Sequence, residues 1–187
     1  MKFKNKTSSF YISLLWGFSE ATFFFIVPDV WLTYNSLNSL KKGFKGVLFA
    51  LIGALVGGTV MFIIGHYNIT ATVKFLAKIP LIDFSIINEV KESLQLDGAL
   101  AMFLGPLKGI PYKIYAAYGG ALSMNYFVFI AVSVFARGIR FSLNVLICNL
   151  FFRIFLKKIT LKSKRIILAV IWLIIYIIYF NLMNTAS

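Results

Sequence analysis

Twenty consecutive residues without a charge, 46–65, constrain the fold of this chain more than any other feature. A helix of that length rises about 30 Å, which is the thickness of the hydrocarbon core of a membrane. A second apolar run covers residues 166–183. Because the chain is 60% hydrophobic and only 13% charged, these runs predict an all-α integral membrane protein rather than a soluble domain.

The basic residues raise the net charge to +13, and their positions predict a membrane partner rather than nucleic acid. They cluster beside the apolar runs, which is typical of cytoplasmic segments that face anionic lipid headgroups. The clusters are Lys2, Lys4 and Lys6; Lys41, Lys42 and Lys45; and Arg153, Lys157, Lys158, Lys162, Lys164 and Arg165. We therefore expect membrane lipids as partners and no nucleic acid, and the sequence leaves a homo-oligomer open.

The same charges predict the orientation of each segment, because cytoplasmic loops carry the excess of Lys and Arg. The basic segments 1–6, 41–45 and 153–165 should be cytoplasmic, which places the N-terminus in the cytoplasm. Segment 66–97 carries three Lys against four Asp or Glu, a net charge of −1, and should lie outside.

Two segments remain that must enter and leave the membrane from the same side if this orientation holds, and both are predicted to be re-entrant hairpins. If residues 46–65 cross outward and residues 126–152 cross back, residues 8–40 must enter and leave from the cytoplasmic side. Residues 98–123 must likewise enter and leave from the outer side. Each hairpin should be broken near its proline.

The predicted fold is therefore a single membrane domain built as an inverted repeat, an architecture found in transporters. Its parts are a first hairpin plus span (8–66), an amphipathic connection (67–97), a second hairpin plus span (98–152) and an extra C-terminal span (166–184). An alternative is one ordinary span over residues 114–136, which are uncharged. Gly119 and Gly120, with the SMN sequence at 123–125, favour a break there instead.

Two carboxylates interrupt the first hairpin, in the stretch FSEATFFFIVPDVW. Glu20 and Asp29, the second of them beside Pro28, would each cost roughly 2.5–3.5 kcal/mol at the centre of a lipid-exposed helix. Both therefore need a protein cavity and cationic partners. Arg137 and Arg140 lie three residues apart, on one helix face and at similar depth. We predict that the two acids face these arginines across a central polar cavity.

Simpler explanations stay open for several of these residues. A helix that begins near Val30 at the membrane surface would account for Asp29 as a cap. The two arginines could snorkel to the interface or pair with backbone carbonyls. Lys108 and Lys113 either join the cluster as further cations or only mark an interface. His66 is interpreted as an interfacial residue rather than a proton relay.

Outside this cluster the sequence contains no recognisable catalytic or metal-binding motif. With one histidine and one cysteine, Cys148, the chain has no zinc-binding pattern, and it contains no glycine-rich phosphate loop. We therefore predict no enzyme activity, no cofactor and no metal. Trp172, Tyr176 and Tyr179 recur at helical spacing in the last span and are interpreted as lipid-facing or packing aromatics.

Three stretches resemble the DedA family, the membrane proteins that share the VTT or SNARE-associated domain. The first is the acid–proline–acid pattern of Glu20, Pro28 and Asp29. The second, GALVGGTVMFIIGH, is similar to the glycine-rich span of the family. The residues in its register are Gly57, Phe62, Ile64, Gly65 and His66, the last in place of an arginine. The third, GPLKGIPYKIYAAYGGALSM, is similar to the second hairpin.

The resemblance covers roughly residues 10–150 and departs from the family pattern at the second turn. The registers of two expected arginines fall there on Gly105 and Pro111, with Lys108 and Lys113 nearby. The IPYK sequence resembles a separate, YqaA-like branch. Gly53 and Gly57 are four residues apart, so they should give their helix a smooth face for close contact with another helix. Together with this spacing, the resemblance implies hairpin or packing roles for Pro28, Gly53, Gly57, Gly65, Gly109, Pro111, Gly119 and Gly120.

The family resemblance implies movement of lipids between leaflets, either phospholipid scrambling or transport of polyprenyl phosphate carriers in the bacterial cytoplasmic membrane. A headgroup phosphate cannot cross hydrocarbon unpaired, and Arg137, Arg140 and Lys113 could pair with it. Glu20 and Asp29 would hold those cations or take up protons. We therefore predict a lipid flippase or scramblase. A proton-coupled carrier of a small solute or ion, using the same carboxylates, is the alternative.

Overall fold

The computed structural model describes the backbone of residues 6–186 and the side chains of residues 9–181, and this part of the chain consists of helices and connecting turns. The elements are α1 (Lys6–Thr22), α2 (Asp29–Ser36), α3 (Leu40–Tyr67), α4 (Ile69–Leu76), α5 (Phe84–Asp97), α6 (Ala99–Leu104), a 3₁₀ helix (Gly105–Lys108), α7 (Tyr112–Ala121), α8 (Tyr126–Ile154) and α9 (Leu161–Ala186). The described part of the chain therefore has the all-α class expected from its sequence.

Three helices, α3, α8 and α9, are long and apolar enough to cross a membrane. They contain the three runs that the sequence predicted as spans. Large apolar side chains on their outer faces are exposed, as at Leu48, Phe135 and Ile177, which suits a lipid environment rather than water. In α9 only 6% of the most apolar window is buried, against 39% in α3, so α3 is central and α9 peripheral.

Both predicted hairpin segments contain a broken helix. In the first, α1 ends at Thr22 and α2 begins at Asp29, directly after Pro28. In the second, the 3₁₀ helix ends at Lys108 and α7 begins directly after Pro111. Proline has no N–H to donate along a helix, and it is tolerated where a helix starts, so each break lies where the sequence led us to expect it.

One ordinary span over residues 114–136, the alternative for this region, is wrong, because α7 and α8 are separate helices. The Asn125 side chain starts α8 by accepting hydrogen bonds from two N–H groups of its first turn, at 2.9 and 3.3 Å. The SMN sequence lies in this break, as expected, between the end of α7 at Ala121 and the start of α8 at Tyr126. Gly119 and Gly120 stand in the last turn of α7, where their carbonyls accept hydrogen bonds from the N–H groups of Met124 and Ser123, and both are also buried.

The connection between α3 and α6 forms two helices whose inner faces join the larger apolar core. In α5, Ile87, Val90 and Leu94 are buried, whereas Glu89 and Glu92 on the other face are exposed. The α5 helix is therefore amphipathic.

Asp83 provides the N-cap of α5. Its Oδ1 accepts a hydrogen bond from the N–H of Ile86 at 2.8 Å, and this bond holds the pKa of the carboxyl below its ordinary value. Asp83→Ala should therefore lower the free energy of unfolding by about 1 kcal/mol, measured by thermal melting in detergent. Asp83→Asn keeps an accepting oxygen and should change it less. An unchanged Tm in Asp83→Ala would contradict the cap.

The capping effect should also depend on pH. Because the pKa of Asp83 is lowered in the folded state, its stabilisation is present above the ordinary pKa and is lost as the pH falls through the folded one. The difference in Tm between the parent and Asp83→Ala should therefore shrink in acid.

Glycines bring the backbone of α3 into contact with α1 on one side and α7 on the other. A Cβ atom added at Gly53 would collide with the carbonyl of Leu14 in α1, and one added at Gly65 would collide with that of Ala117 in α7. At Gly57 the added atom would lie 2.7 Å from a carbonyl oxygen of α1. Small residues allow this close packing in membrane helices, so α3 joins the two broken segments.

Two apolar cores flank a polar site. The larger core contains buried residues of α1 and of α3 to α8, and the smaller one joins α2, α3 and α8 through Leu32, Val47, Ala50, Phe141 and Val145. Glu20 directly precedes Ala21 of the larger core, and Arg140 directly precedes Phe141 of the smaller. The ionic groups thus lie where the two cores meet.

Candidate functional site

Glu20 and Arg137 form a buried ion pair between the two halves of the chain. Glu20 lies near the end of α1, and Arg137 lies inside α8, 117 residues later. Nη2 of Arg137 donates to Oε2 of Glu20, and the two residues are 1% and 5% exposed, respectively. A charge buried to this extent needs a partner of opposite sign, and each supplies it to the other.

Asp29 and Arg140 form a second ion pair beside the first. Nη2 of Arg140 lies 2.9 Å from Oδ2 of Asp29, and Nδ2 of Asn144 donates to the other carboxylate oxygen at 2.7 Å. Asp29 is also the first residue of α2, where the helix dipole favours a negative charge. Both oxygens of this carboxylate are therefore paired.

The arginine of the first pair is also held by aromatic rings. Its guanidinium carbon lies 4.4 Å from the ring centroid of Tyr112 and 5.0 Å from that of Phe141, within the range of cation–π attraction. The Tyr112 hydroxyl lies 2.8 Å from the Ser133 hydroxyl, which fixes the ring. Nε and Nη1 of Arg137 make no hydrogen bond with any residue that the structure describes. Two hydrogen-bond donor atoms of this guanidinium are therefore unsatisfied within the described residues.

Lys113 adds a third cation to the site. It lies in the first turn of α7, is 2% exposed, and its Nζ donates to the backbone carbonyl of Phe24 at 2.7 Å. Within the described residues, the two ion pairs are those of the arginines, so this ammonium has a carbonyl partner but no carboxylate. The buried site thus contains three positive and two negative side chains, a net charge of +1.

A cavity of about 170 Å³ lies against these groups. Glu20, Lys113 and Arg140 line it, and the remaining walls come from both helix breaks, from the turn between α4 and α5, and from α9. The cavity therefore has room for a small polar group beside an uncompensated positive charge.

The aromatic face of α9 closes this cavity, so these side chains are packing aromatics, one of the two interpretations that the sequence offered, and do not all face lipid. Trp172, Tyr176 and Tyr179 all line it. The Tyr176 hydroxyl accepts from the N–H of Val27 in the first break at 2.9 Å. The Tyr179 hydroxyl donates to the carbonyl of Gly109 in the second break at 3.2 Å. Trp172 donates to a hydroxyl of α2 at 3.0 Å. The helix is thus attached to both breaks by polar groups.

The structure places one of the candidate residues, Lys108, outside the cluster. Lys108 is exposed at the end of the 3₁₀ helix and does not line the cavity, so its assignment to the cluster was wrong. His66 packs against α7, with Nδ1 3.1 Å from the carbonyl of Gly120, and is exposed, as an interfacial residue would be. Gly109 forms the tight turn before α7, where its φ of +92° favours glycine.

The simpler explanations for the ionic residues are also wrong. Asp29 is 1% exposed, so it does not cap a helix at the membrane surface. Arg137 is equally buried and does not snorkel.

Asn144 was missed by the sequence analysis, although its position four residues after Arg140 puts it on the same face of α8. The roles of all these residues in substrate binding stay predictions. Among the described residues, no three His, Cys, Asp or Glu side chains form a group that could hold a metal ion.

Comparison with known proteins gives one similar sequence, whose description states no function. A curated protein of Haemophilus influenzae, described as an uncharacterized protein, is 27% identical to this chain over 146 residues. The matched region covers 75% of this chain and 71% of the relative. No family profile and no solved structure match the chain. Its function therefore has to be inferred from the geometry of the site.

Proposed function

We propose that this chain is a membrane transporter that moves the headgroup of an anionic lipid between leaflets, past the cavity beside Lys113. The observation that carries the proposal is the excess of buried positive charge. Three cations share two carboxylates, and the ammonium of Lys113 has only the carbonyl of Phe24 as a direct partner. An uncompensated charge at low dielectric is costly, and a phosphate in the adjoining cavity would neutralise it.

The arrangement of the broken helices supports the same proposal. We infer that the α1–α2 and α6–α7 segments are re-entrant hairpins, which with α3 and α8 make an inverted repeat of the transporter type. Irregular backbone at membrane depth is stable only where it is packed inside protein or lines a polar cavity. Both breaks do line the cavity, through Val27 and Gly109. Membership of the DedA family, in its YqaA-like branch, is part of the proposal and rests on the hairpin motifs.

The cavity size suggests how a lipid would be handled. A volume of about 170 Å³ accommodates a phosphate and its immediate substituent but no acyl chains. The chains would stay in the bilayer, along the exposed apolar surface of α9. The α9 helix contacts the rest of the protein mainly through its aromatic face. It is therefore the element that would move away from the two helix breaks and admit a headgroup laterally from the bilayer.

The two ion pairs would keep the site stable between transport events. Glu20 and Asp29 hold Arg137 and Arg140 in place, and of the two arginines only Arg140 lines the cavity. A phosphate that enters would compete with the carboxylate of Asp29 for the guanidinium of Arg140, and its departure would restore the pair. The charge distribution of the cytoplasmic loops would orient the N-terminus toward the cytoplasm of a bacterial cell.

Lys113→Gln tests the proposal most directly. Glutamine can still donate to the carbonyl of Phe24, so the fold should be kept while the surplus charge is lost. In liposomes that contain labelled anionic lipid, leaflet exchange should fall about tenfold or more, which corresponds to one charge-assisted contact. Lys108→Gln is the matched control, because this nearby lysine is exposed outside the cavity, and its exchange rate should be unchanged.

The result of this test separates the alternatives. If Lys113→Gln melts at the parent temperature and exchanges labelled lipid as fast as the parent, lipid passage through this cavity is excluded. A proton-coupled carrier of a small solute is favoured by one observation, the small volume of the cavity beside a fully buried carboxylate. That candidate requires solute uptake that depends on a pH gradient and no leaflet exchange, so the assay is run with several lipids at two pH values.

A further inference from the structure

A second cavity lies at the end of the molecule where α3 and α9 begin and α8 ends. Its volume is about 310 Å³, and it shares no lining residue with the central cavity. Three basic side chains line it, Arg153, Lys157 and Lys164. We name it the basic crevice. Since three membrane helices have their ends here, the crevice lies at the level of the lipid headgroups on one membrane surface.

No acidic residue of the surrounding chain neutralises the crevice. The segments that form it belong to residues 30–82 and 98–187, and neither stretch contains an Asp or Glu. Arg153 and Lys157 make no hydrogen bond or ion pair with any residue that the structure describes. The nearby Arg165, by contrast, lies over the Tyr34 ring at 4.9 Å. The first two cations are therefore free to bind an anion.

The other walls of the crevice suit a lipid rather than a soluble anion. Leu37 and Leu40, both half-buried, supply apolar surface beside the charges, and Phe152 lines the crevice although it is nearly buried. The third basic residue is already positioned, because Nζ of Lys164 donates to the carbonyl of Phe152 at 3.2 Å at the end of α8. A ligand that combines a negative group with an apolar body matches both kinds of wall.

We propose that the basic crevice binds the phosphate of an anionic membrane lipid as a retained, non-transported ligand. Arg153 and Lys157 contact the phosphate, and the apolar walls receive the first part of the acyl chains. Basic pockets between membrane helices are a known way of recognising such headgroups. The site is separate from the central cavity and does not depend on transport.

The test is lipid binding by the full chain in detergent, with the bound lipids counted by mass spectrometry. The protein is mixed with phosphatidylglycerol and phosphatidylcholine and should retain phosphatidylglycerol preferentially. Arg153→Gln/Lys157→Gln should weaken this binding roughly tenfold to thirtyfold, the effect of two cations near a headgroup. All measurements are repeated in a Lys113→Gln background, so that lipid in the central cavity does not contribute.

The matched control is Lys41→Gln/Lys42→Gln, which removes two exposed charges at the same end but outside the crevice. It should keep nearly all of the binding. Equal losses in the two double variants would mean diffuse attraction to a basic surface and would overturn the proposal. Displacement of the lipid by millimolar inorganic phosphate would also overturn it in favour of a soluble anion. Arg153→Lys/Lys157→Arg, which keeps both charges, should bind like the parent and exclude a folding defect.

Discussion

Arg137→Ala should destabilise the protein more than any other single substitution in the site, by about 3–5 kcal/mol. Removal of the guanidinium leaves the carboxylate of Glu20, which is 5% exposed, as a buried charge without its ion-pair partner. It also leaves a void against the rings of Tyr112 and Phe141. Thermal unfolding in detergent would show the effect as a large fall in Tm, or as loss of the folded protein.

Two further variants show whether the lost charge pair is the cause. Glu20→Gln/Arg137→Gln removes both charges together, and most of the stability should return, because replacement of a whole buried pair is often nearly neutral. Arg140→Ala should cost less than Arg137→Ala, since Asp29 keeps Asn144 as a second partner. A double variant as unstable as Arg137→Ala would show that packing of the guanidinium, and not its charge, stabilises the site.

Gly120→Ala should cost about 3 kcal/mol, the upper end of the range for overpacking, because the new methyl group meets backbone rather than a side chain that can move. A Cβ atom at this position would collide with the carbonyl of Phe62 in α3. The two helices would have to separate, and α7 carries Lys113 in its first turn. We therefore expect a lower Tm and, in liposomes, a lower rate of leaflet exchange.

The adjacent glycine provides the control. A Cβ atom at Gly119 would lie 3.6 Å from the rings of Phe62 and Phe129, which is ordinary van der Waals contact. Alanine is also about 0.8–1.0 kcal/mol more favourable than glycine inside a helix. Gly119→Ala should therefore be neutral or slightly stabilising. The same chemical change should thus destabilise the protein at Gly120 and leave its stability unchanged or slightly higher at Gly119, and equal effects would contradict the packing described for α3 and α7.

The elements that the sequence predicted correctly depend on local properties of the chain. Three long apolar runs became α3, α8 and α9, because length and hydropathy alone decide whether a helix can cross a membrane. The breaks before α2 and α7 follow from Pro28 and Pro111, since a proline lacks the donor that continues a helix. The need for cations near Glu20 and Asp29 follows from the cost of a buried charge.

The sequence did not show the contacts between elements that are distant in the chain. Gly119 and Gly120 stand near the end of a helix, as expected, but the close approach of Gly120 to the backbone of Phe62 in α3 cannot be read from the neighbouring residues. Lys108 and Lys113 stand five residues apart, and only the second turns into the site. Tyr176 packs against the protein, as one interpretation expected, but the sequence did not show that its hydroxyl accepts a hydrogen bond from a helix break.

The sequence by itself determined that this chain is helical, that three of its helices can cross a membrane, and that two acids within it require cationic partners. Tertiary structure alone decided which acid pairs with which arginine, and that Lys113 is left with a surplus charge beside a cavity. The physical reason is that hydropathy, proline and charge act within one segment. The rotation of a helix about its axis, which selects the side chains that meet, is set by backbone contacts such as those of Gly53 and Gly65 with helices far away in the sequence.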